Sequence, residues 1–327
     1  MLVTSTLPTM TAGTVADLHE KPLAESLSRF RERAFLFVEP GGNWGDGLIY
    51  LGAQTLARRL GLRWRRLTYA EFIAQEPSDS AAVYVHGGGG FNYLCSGKAP
   101  TAFLHAVSHY PGPVILGPTT VDDAEGFVEA QLLPGLHTRV ASDVVMFVRE
   151  RTSLAALVGR LPADIDLHLD HDTALQLTPG DALNGHPQAA RYALLALRHD
   201  NEAPAGLGWE QLDGVHLDPA LYARSFDHWL RIHALASRII TNRTHSSILG
   251  AILRKPTTLL GGSYHKNRSI WEYSLAPRGV RWLDWNVDAA NRNPMTSPWK
   301  RRPVIGWLAR SWKVQRALKR VQGVPWS

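Results

Sequence analysis

Short apolar runs recur along the chain, and nearly all of them stop at glycine or at polar residues. Ala34 to Val38, Ala82 to His86, Pro113 to Leu116, Val144 to Val148, Ile239 to Thr241 and Thr257 to Leu260 are rich in β-branched and aromatic residues and predict buried strands. Trp64 to Leu67, Arg191 to Arg198 and Arg281 to Asp284 predict three more. The stretches between them follow helical spacing. Ile49, Ala53, Leu56 and Leu60 fall on one face, with Gly61 as the stop. Phe226, Trp229, Leu230 and Ala234 form a second face, on which His233 reads as a packing residue. Ile248 and Ile252 begin a third, ended by Lys255-Pro256. Strands alternating with helices imply an α/β fold with parallel sheets.

A Pro/Gly/Asn-rich segment over 176–191 divides the pattern into two α/β units. The expected organisation is a leader over 1–31, an N-terminal Rossmann-like domain over 32–178, a C-terminal one over 190–290, and a tail over 291–327.

The chemistry concentrates where strands end, which in α/β folds is where ligands bind. The first strand runs into Gly41-Gly42-Asn43-Trp44-Gly45-Asp46-Gly47. That spacing matches neither the dinucleotide fingerprint nor the phosphate loop of nucleotide hydrolases. It suits a tight turn or a ligand loop, with Asn43 and Asp46 as the polar groups available to a cleft. His86 is followed by four glycines, Gly87 to Gly90, and then Phe91-Asn92. The strand at 144–148 ends in Arg149-Glu150-Arg151-Thr152-Ser153. Ile239 to Leu249 reads as a strand turning into a helix, with Arg243 and His245 at the turn. A guanidinium, an imidazole and the first amides of a helix favour a phosphate or carboxylate. Lys266, after the strand at 257–260, is available to the same anion. His168, Asp170 and Asp172 would share one side of an extended segment, yet carboxylates in such a place more often cap or pair. No metal is expected.

Composition adds little to this picture. Net charge is +6 and the pI about 9.5, which suits an anionic substrate or surface. The single cysteine, Cys95, excludes an intrachain disulfide and a cysteine zinc site. No window approaches the ~20 apolar residues that span a bilayer, and residues 1–30 lack a signal-peptide core. A cytoplasmic enzyme is the expectation. From Ala289 onward there are nine Lys/Arg, four Trp and no Asp or Glu. A basic helix over 303–321 would either lie on a membrane surface or dock its apolar side on the protein.

Taken together and in order, five segments resemble the polysaccharide pyruvyl transferases. They are Gly42-Asn43-Trp44-Gly45-Asp46; His86-Gly87-Gly88-Gly89; Val148-Arg149-Glu150-Arg151-Thr152-Ser153; Asp172-Thr173-Ala174-Leu175; and Arg243-Thr244-His245-Ser246 with Lys255-Pro256. Thr173 stands where the family usually has proline. The resemblance implies two Rossmann-like domains facing a central cleft, a GT-B-like fold. It also implies transfer of pyruvate from phosphoenolpyruvate to a sugar, giving a ketal and free phosphate with no separate cofactor. Arg149, Arg243 and His245 would then hold the donor, with Lys266 beside them. His245 would be the general acid, and Asp46 would take the proton of the attacking hydroxyl or orient its loop. Asn43, His86, Gly88 and Gly89 would face the acceptor, with Trp44 and Phe91 as stacking candidates. The implied setting is cell-surface glycan or exopolysaccharide synthesis. The basic tail fits an acceptor on a lipid-linked oligosaccharide at the inner face of the membrane, and nucleic acid is not an expected partner. Two other readings fit the same residues. One is a GT-B nucleotide-sugar glycosyltransferase, the other a non-catalytic glycan-binding protein.

Overall fold

The computed structural model describes residues 15, 17, 19–95, 97–183, 185–198, 200, 202–203 and 213–284. The expected basic helix over 303–321, the tail over 291–327 and most of the leader lie outside the described residues. The chain forms two compact units, one of Met1–Gly41 with Leu56–Thr173, the other of Gly42–Thr55 with Ala174–Ser327. Both are built on parallel sheets.

The first unit contains β1 (Ala34–Glu39), β2 (Trp64–Thr68), β3 (Ala81–Val85), β4 (Gly88–Phe91), β5 (Val114–Val121), β6 (Val144–Val148) and β7 (Ile165–Leu169). Their order is β2-β1-β3-β5-β6-β7, with β4 added on β5. The order reverses between β1 and β3, so both predicted Gly-rich ends flank the switch point. β3, β5 and β6 are buried along their whole length, as strands covered on both faces must be. One expectation changes here. The glycines after His86 form a strand, not an open loop. A Cβ on Gly87 would lie 2.1 Å from the Pro118 carbonyl oxygen. The glycine there is required by the close approach of two backbones.

The second unit contains β8 (Tyr192–Ala196), β9 (Val215–Leu217), β10 (Ala236–Thr241), β11 (Thr257–Leu260) and β12 (Arg281–Leu283). Their order is β12-β11-β10-β8-β9, which reverses between β8 and β10. The helices that matter below are α1 (Asp46–Arg59), α2 (Arg151–Leu157), α3 (Pro219–Tyr222), α4 (Phe226–Ala234), α5 (Thr244–Ile252) and α6 (Lys266–Ile270). Residues 42–55 depart from the expected boundary, which kept them with the first strand. Leu48 and Leu51 of α1 belong to the apolar cluster of the second unit, with Trp229, Leu230, Ile248 and Leu249. Gly47 lets the helix close on that cluster, since a Cβ there would lie 2.8 Å from the Phe226 ring. The chain therefore hands its first Gly-rich turn to the second sheet.

Candidate active site

Three cationic side chains gather at the carboxyl ends of the second sheet. Arg198 follows β8, Arg243 follows β10, and Lys266 opens α6 after β11. Arg198 and Arg243 thus stand on the two strands between which the order reverses. Three carboxylates meet them. Asp218, at the end of β9, accepts from Arg243 Nε and Nη2, both at 2.5 Å. Asp200 accepts from Arg198 Nε at 2.6 Å and lies 3.4 Å from Arg243 Nη2. Glu202 accepts from Arg198 Nη2 at 2.9 Å and from the ammonium of Lys266. Backbone contacts tie the turns together. Asn242 Oδ1 accepts from the Arg198 amide, and Asn267 Nδ2 donates to the Asn242 carbonyl. Thr244 Oγ1 donates to Asn267 Oδ1 at 2.6 Å.

The charges fix one another's protonation. Burial disfavours ionised Glu202, but the charges of Lys266 and Arg198 outweigh it and hold the carboxyl at about 2. Burial likewise opposes the Arg198 charge, and Asp200 and Glu202 more than offset it. Asp218 is buried, caps α3 through the Ala220 amide, and precedes Pro219 at the first helical position. It is a permanent anchor for Arg243. That arginine is 8% exposed, and among the described residues no group bonds its Nη1.

His245 lies in the first turn of α5, and the loop handed over from the first strand packs against it. Asp46 Oδ1 is 4.0 Å from His245 Nδ1. The same carboxylate accepts from the Asn43 amide at 2.8 Å, and Asn43 Oδ1 accepts from the Gly45 amide at 2.8 Å. Asn43 and Asp46 thus hold the turn closed, and Asp46 also faces the imidazole. Gly42 has φ +129°, a conformation in which a side chain is strained. From below, His233 Nδ1 of α4 donates to the Trp229 carbonyl, and its Nε2 accepts from Ser246 Oγ, 3.0 Å away. Complete burial pushes His233 down to about 4, so it braces the helix as a neutral ring.

The remaining sequence candidates, Trp44 apart, belong to the first unit. Arg149 is 1% exposed; its Nη1 donates to Asp172 at 2.5 Å and its Nε to Thr120 Oγ1 at 2.9 Å. The Arg149 and Asp172 segments, read separately in the sequence, are two halves of one buried ion pair. Glu150 accepts from the Ser153 amide, so the rest of that segment is the N-cap of α2. His86 is fully buried between the rings of Phe37 and Tyr84, and burial pushes it down to about 3. Gly88 and Gly89 lie in β4. Phe91 is buried in an aromatic cluster with Phe103 and Phe127, so it offers no face for stacking. Trp44 is 36% exposed, and its indole N–H is fixed on the Ala223 carbonyl at 3.0 Å. Asp172 is held by Arg149, and Asp170 accepts from the amides of Leu23 and His171. Among the described residues no group of three potential ligands could hold a metal.

Sequence reading singled out Asn43, Asp46, Arg243, His245 and Lys266, though it assigned Asn43 and Asp46 to the other domain, and it missed Arg198, Asp200, Glu202 and Asp218. A signal for two of them was present. Arg198 ends an apolar run in the same way as Arg243 does, and Asp218-Pro219 is a helix-start pair.

This is an α/β protein with a cluster of paired cations and carboxylates at the strand ends of its second sheet and a histidine–aspartate pair beside it. The polysaccharide pyruvyl transferase family model matches residues 43–264. The chain belongs to that family. No curated protein matches it. A solved structure of an uncharacterised protein from Klebsiella pneumoniae subsp. pneumoniae NTUH-K2044 is similar to it in fold. The TM-score is 0.60 at 18% identity, over 81% of this chain and 97% of that one. No helix among the described residues is long and apolar enough to cross a membrane.

Proposed function

We propose that the protein transfers pyruvate from phosphoenolpyruvate to a sugar of a cell-surface glycan or its precursor, forming a ketal and releasing phosphate. The observation that carries this reading is the meeting of His245 and Asp46 next to Arg243 and Lys266. Phosphoenolpyruvate carries about three negative charges, and cations at strand ends are the groups that bind them. The reaction adds a proton to the methylene carbon and joins a sugar oxygen to the neighbouring carbon. The bond from that carbon to the phosphate oxygen breaks, and a second sugar oxygen takes the vacated place. Of the two hydroxyl protons lost, one matches the proton gained by carbon and the other leaves on phosphate.

His245 is the proton donor in this reading, because imidazole is the side chain that exchanges protons near neutral pH. Asp46 lies at ion-pair distance from its ring. Arg243, held by Asp218, and Lys266 offset the charge of the departing phosphate. Arg149, buried and paired with Asp172, belongs to the first unit and has no assigned step in this reading. Trp44, exposed one residue from Gly45, offers its ring face to the acceptor sugar. The lipid-linked acceptor at the inner membrane face remains part of the proposal, tested by deleting residues 300–327 and measuring activity on lipid-linked oligosaccharide.

The deciding experiment is phosphate release from phosphoenolpyruvate against a panel of oligosaccharides. Release that depends on acceptor and is abolished in His245→Ala is the expected result. Tight binding of a UDP- or GDP-sugar, with no phosphoenolpyruvate-dependent release, would overturn the reading in favour of a glycosyltransferase.

A further inference from the structure

The cluster at the second switch point poses an electrostatic problem. Arg198, Arg243 and Lys266 contribute three positive charges, and Asp200, Glu202 and Asp218 contribute three negative ones. A neutral cluster has no net attraction for a trianion. An anion can enter with favourable energy only if some resident carboxylates give up their cations. Protonation is not the route, because the neighbouring cations keep Glu202 ionised far below neutral pH.

The three carboxylates differ in how firmly they are held. Asp218 is buried at the end of β9, where it also caps α3. Asp200 and Glu202 sit beyond β8 on a turn, and the Asp200 side chain is 50% exposed. Glu202 spans Arg198 and Lys266, with its two oxygens on the two cations. This is how a substrate carboxylate or a phosphate edge would bridge a guanidinium and an ammonium. Arg198, Glu202 and Lys266, with Gly262, Tyr264 and Asn267, line a small pocket.

We infer that Arg198 is a further ligand for the anionic donor and that Glu202, assisted by Asp200, is an internal counter-ion which the donor displaces. The inference rests on the functional reading above and adds to it a residue and a binding step. Entry of the donor exchanges one set of charge-assisted hydrogen bonds for another, so the cations stay paired throughout. The arrangement also selects for charge. A monoanion cannot replace two carboxylates, whereas a ligand with both carboxylate and phosphate can.

Isothermal titration with phosphoenolpyruvate and, separately, with inorganic phosphate tests the idea. Glu202→Gln keeps the shape and removes the charge. It is expected to tighten phosphoenolpyruvate roughly tenfold, and Asp200→Asn to tighten it less. Arg198→Met is expected to weaken phosphoenolpyruvate by roughly tenfold or more. Unchanged or weaker binding by Glu202→Gln, with its melting temperature near that of the parent, overturns the inference. If Glu202→Gln does not fold, the half-exposed Asp200→Asn variant decides by the same criterion. A parent protein that binds no phosphoenolpyruvate counts against the functional reading, and the inorganic phosphate arm then decides this inference alone.

Discussion

Gly45→Ala is the smallest change that should separate the histidine from its aspartate. A Cβ built on Gly45 would lie 2.8 Å from His245 Nδ1, 2.9 Å from His245 Cβ and 2.9 Å from Asn43 Oδ1. Those separations are well inside carbon contact distance, so a neighbour must move. The backbone of Gly45 is not in the left-handed region, so alanine brings no strain of its own there. Asn43 Oδ1 is tied to the Gly45 amide, which leaves His245 as the group to yield. Relieving such a contact by shifting a side chain costs about 1–3 kcal/mol. The imidazole would move by several tenths of an ångström away from Asp46, already 4.0 Å distant. Misplacing a catalytic group by about 1 Å can cost on the order of a hundredfold. We therefore expect kcat for phosphate release to fall roughly ten- to a hundredfold, with KM for phosphoenolpyruvate changed less, since Arg243 and Lys266 are untouched. Gly180→Ala is the matched control, because a Cβ there meets nothing nearer than Thr178 Oγ1 at 3.7 Å. It should retain activity. A Gly45→Ala enzyme with the parent kcat would show that the contact between this loop and His245 has no part in the chemistry.

Other perturbations follow from the same contacts. Asp172→Ala leaves Arg149 charged and buried, and should lower stability by about 3–5 kcal/mol in denaturant unfolding; a loss under 1 kcal/mol would show the pair to be open to water. His86 and His233 have folded pKa values of about 3 and about 4 against 6.5 when unfolded. The unfolded chain therefore binds more protons below pH 6.5, and stability falls as pH drops from there towards 4. The slope is on the order of 1 kcal/mol per pH unit for each ring, and urea midpoints across that range that stay flat in the parent would refute the neutral, buried assignment. Trp44→Ala should raise KM for the oligosaccharide about tenfold and leave phosphoenolpyruvate binding by calorimetry unchanged; equal loss for both ligands would remove Trp44 from the acceptor side.

The periodicity of the chain was enough to locate most strands, because a buried parallel strand must be apolar along its whole length, as β3 and β6 are. It also located Arg243 and Lys266 beyond two of them. Long-range partners were not legible. Nothing local in Arg149 or Arg243 says that Asp172 or Asp218 will occupy its hydrogen-bonding edge, since those pairs are made by sheet order. The Gly-rich strand end left two causes open for a related reason. Glycine required by a neighbouring backbone, as at Gly87, has the same sequence signature as glycine required by a ligand. His86 fell to burial in the same way: the residue type suggested chemistry, while two flanking aromatic rings made it part of the core.

The transfer of residues 42–55 to the second unit has a consequence for the order of events during synthesis. Leu48 and Leu51 leave the ribosome long before Trp229 and Ile248, the residues they pack against. At 5–20 residues per second the interval is on the order of ten seconds or more. Through that time Leu48 and Leu51 lack the apolar cluster they pack against. The N-terminal strand can pair early, but His245 meets its aspartate only after α5 has been translated, and Lys266 joins them later still.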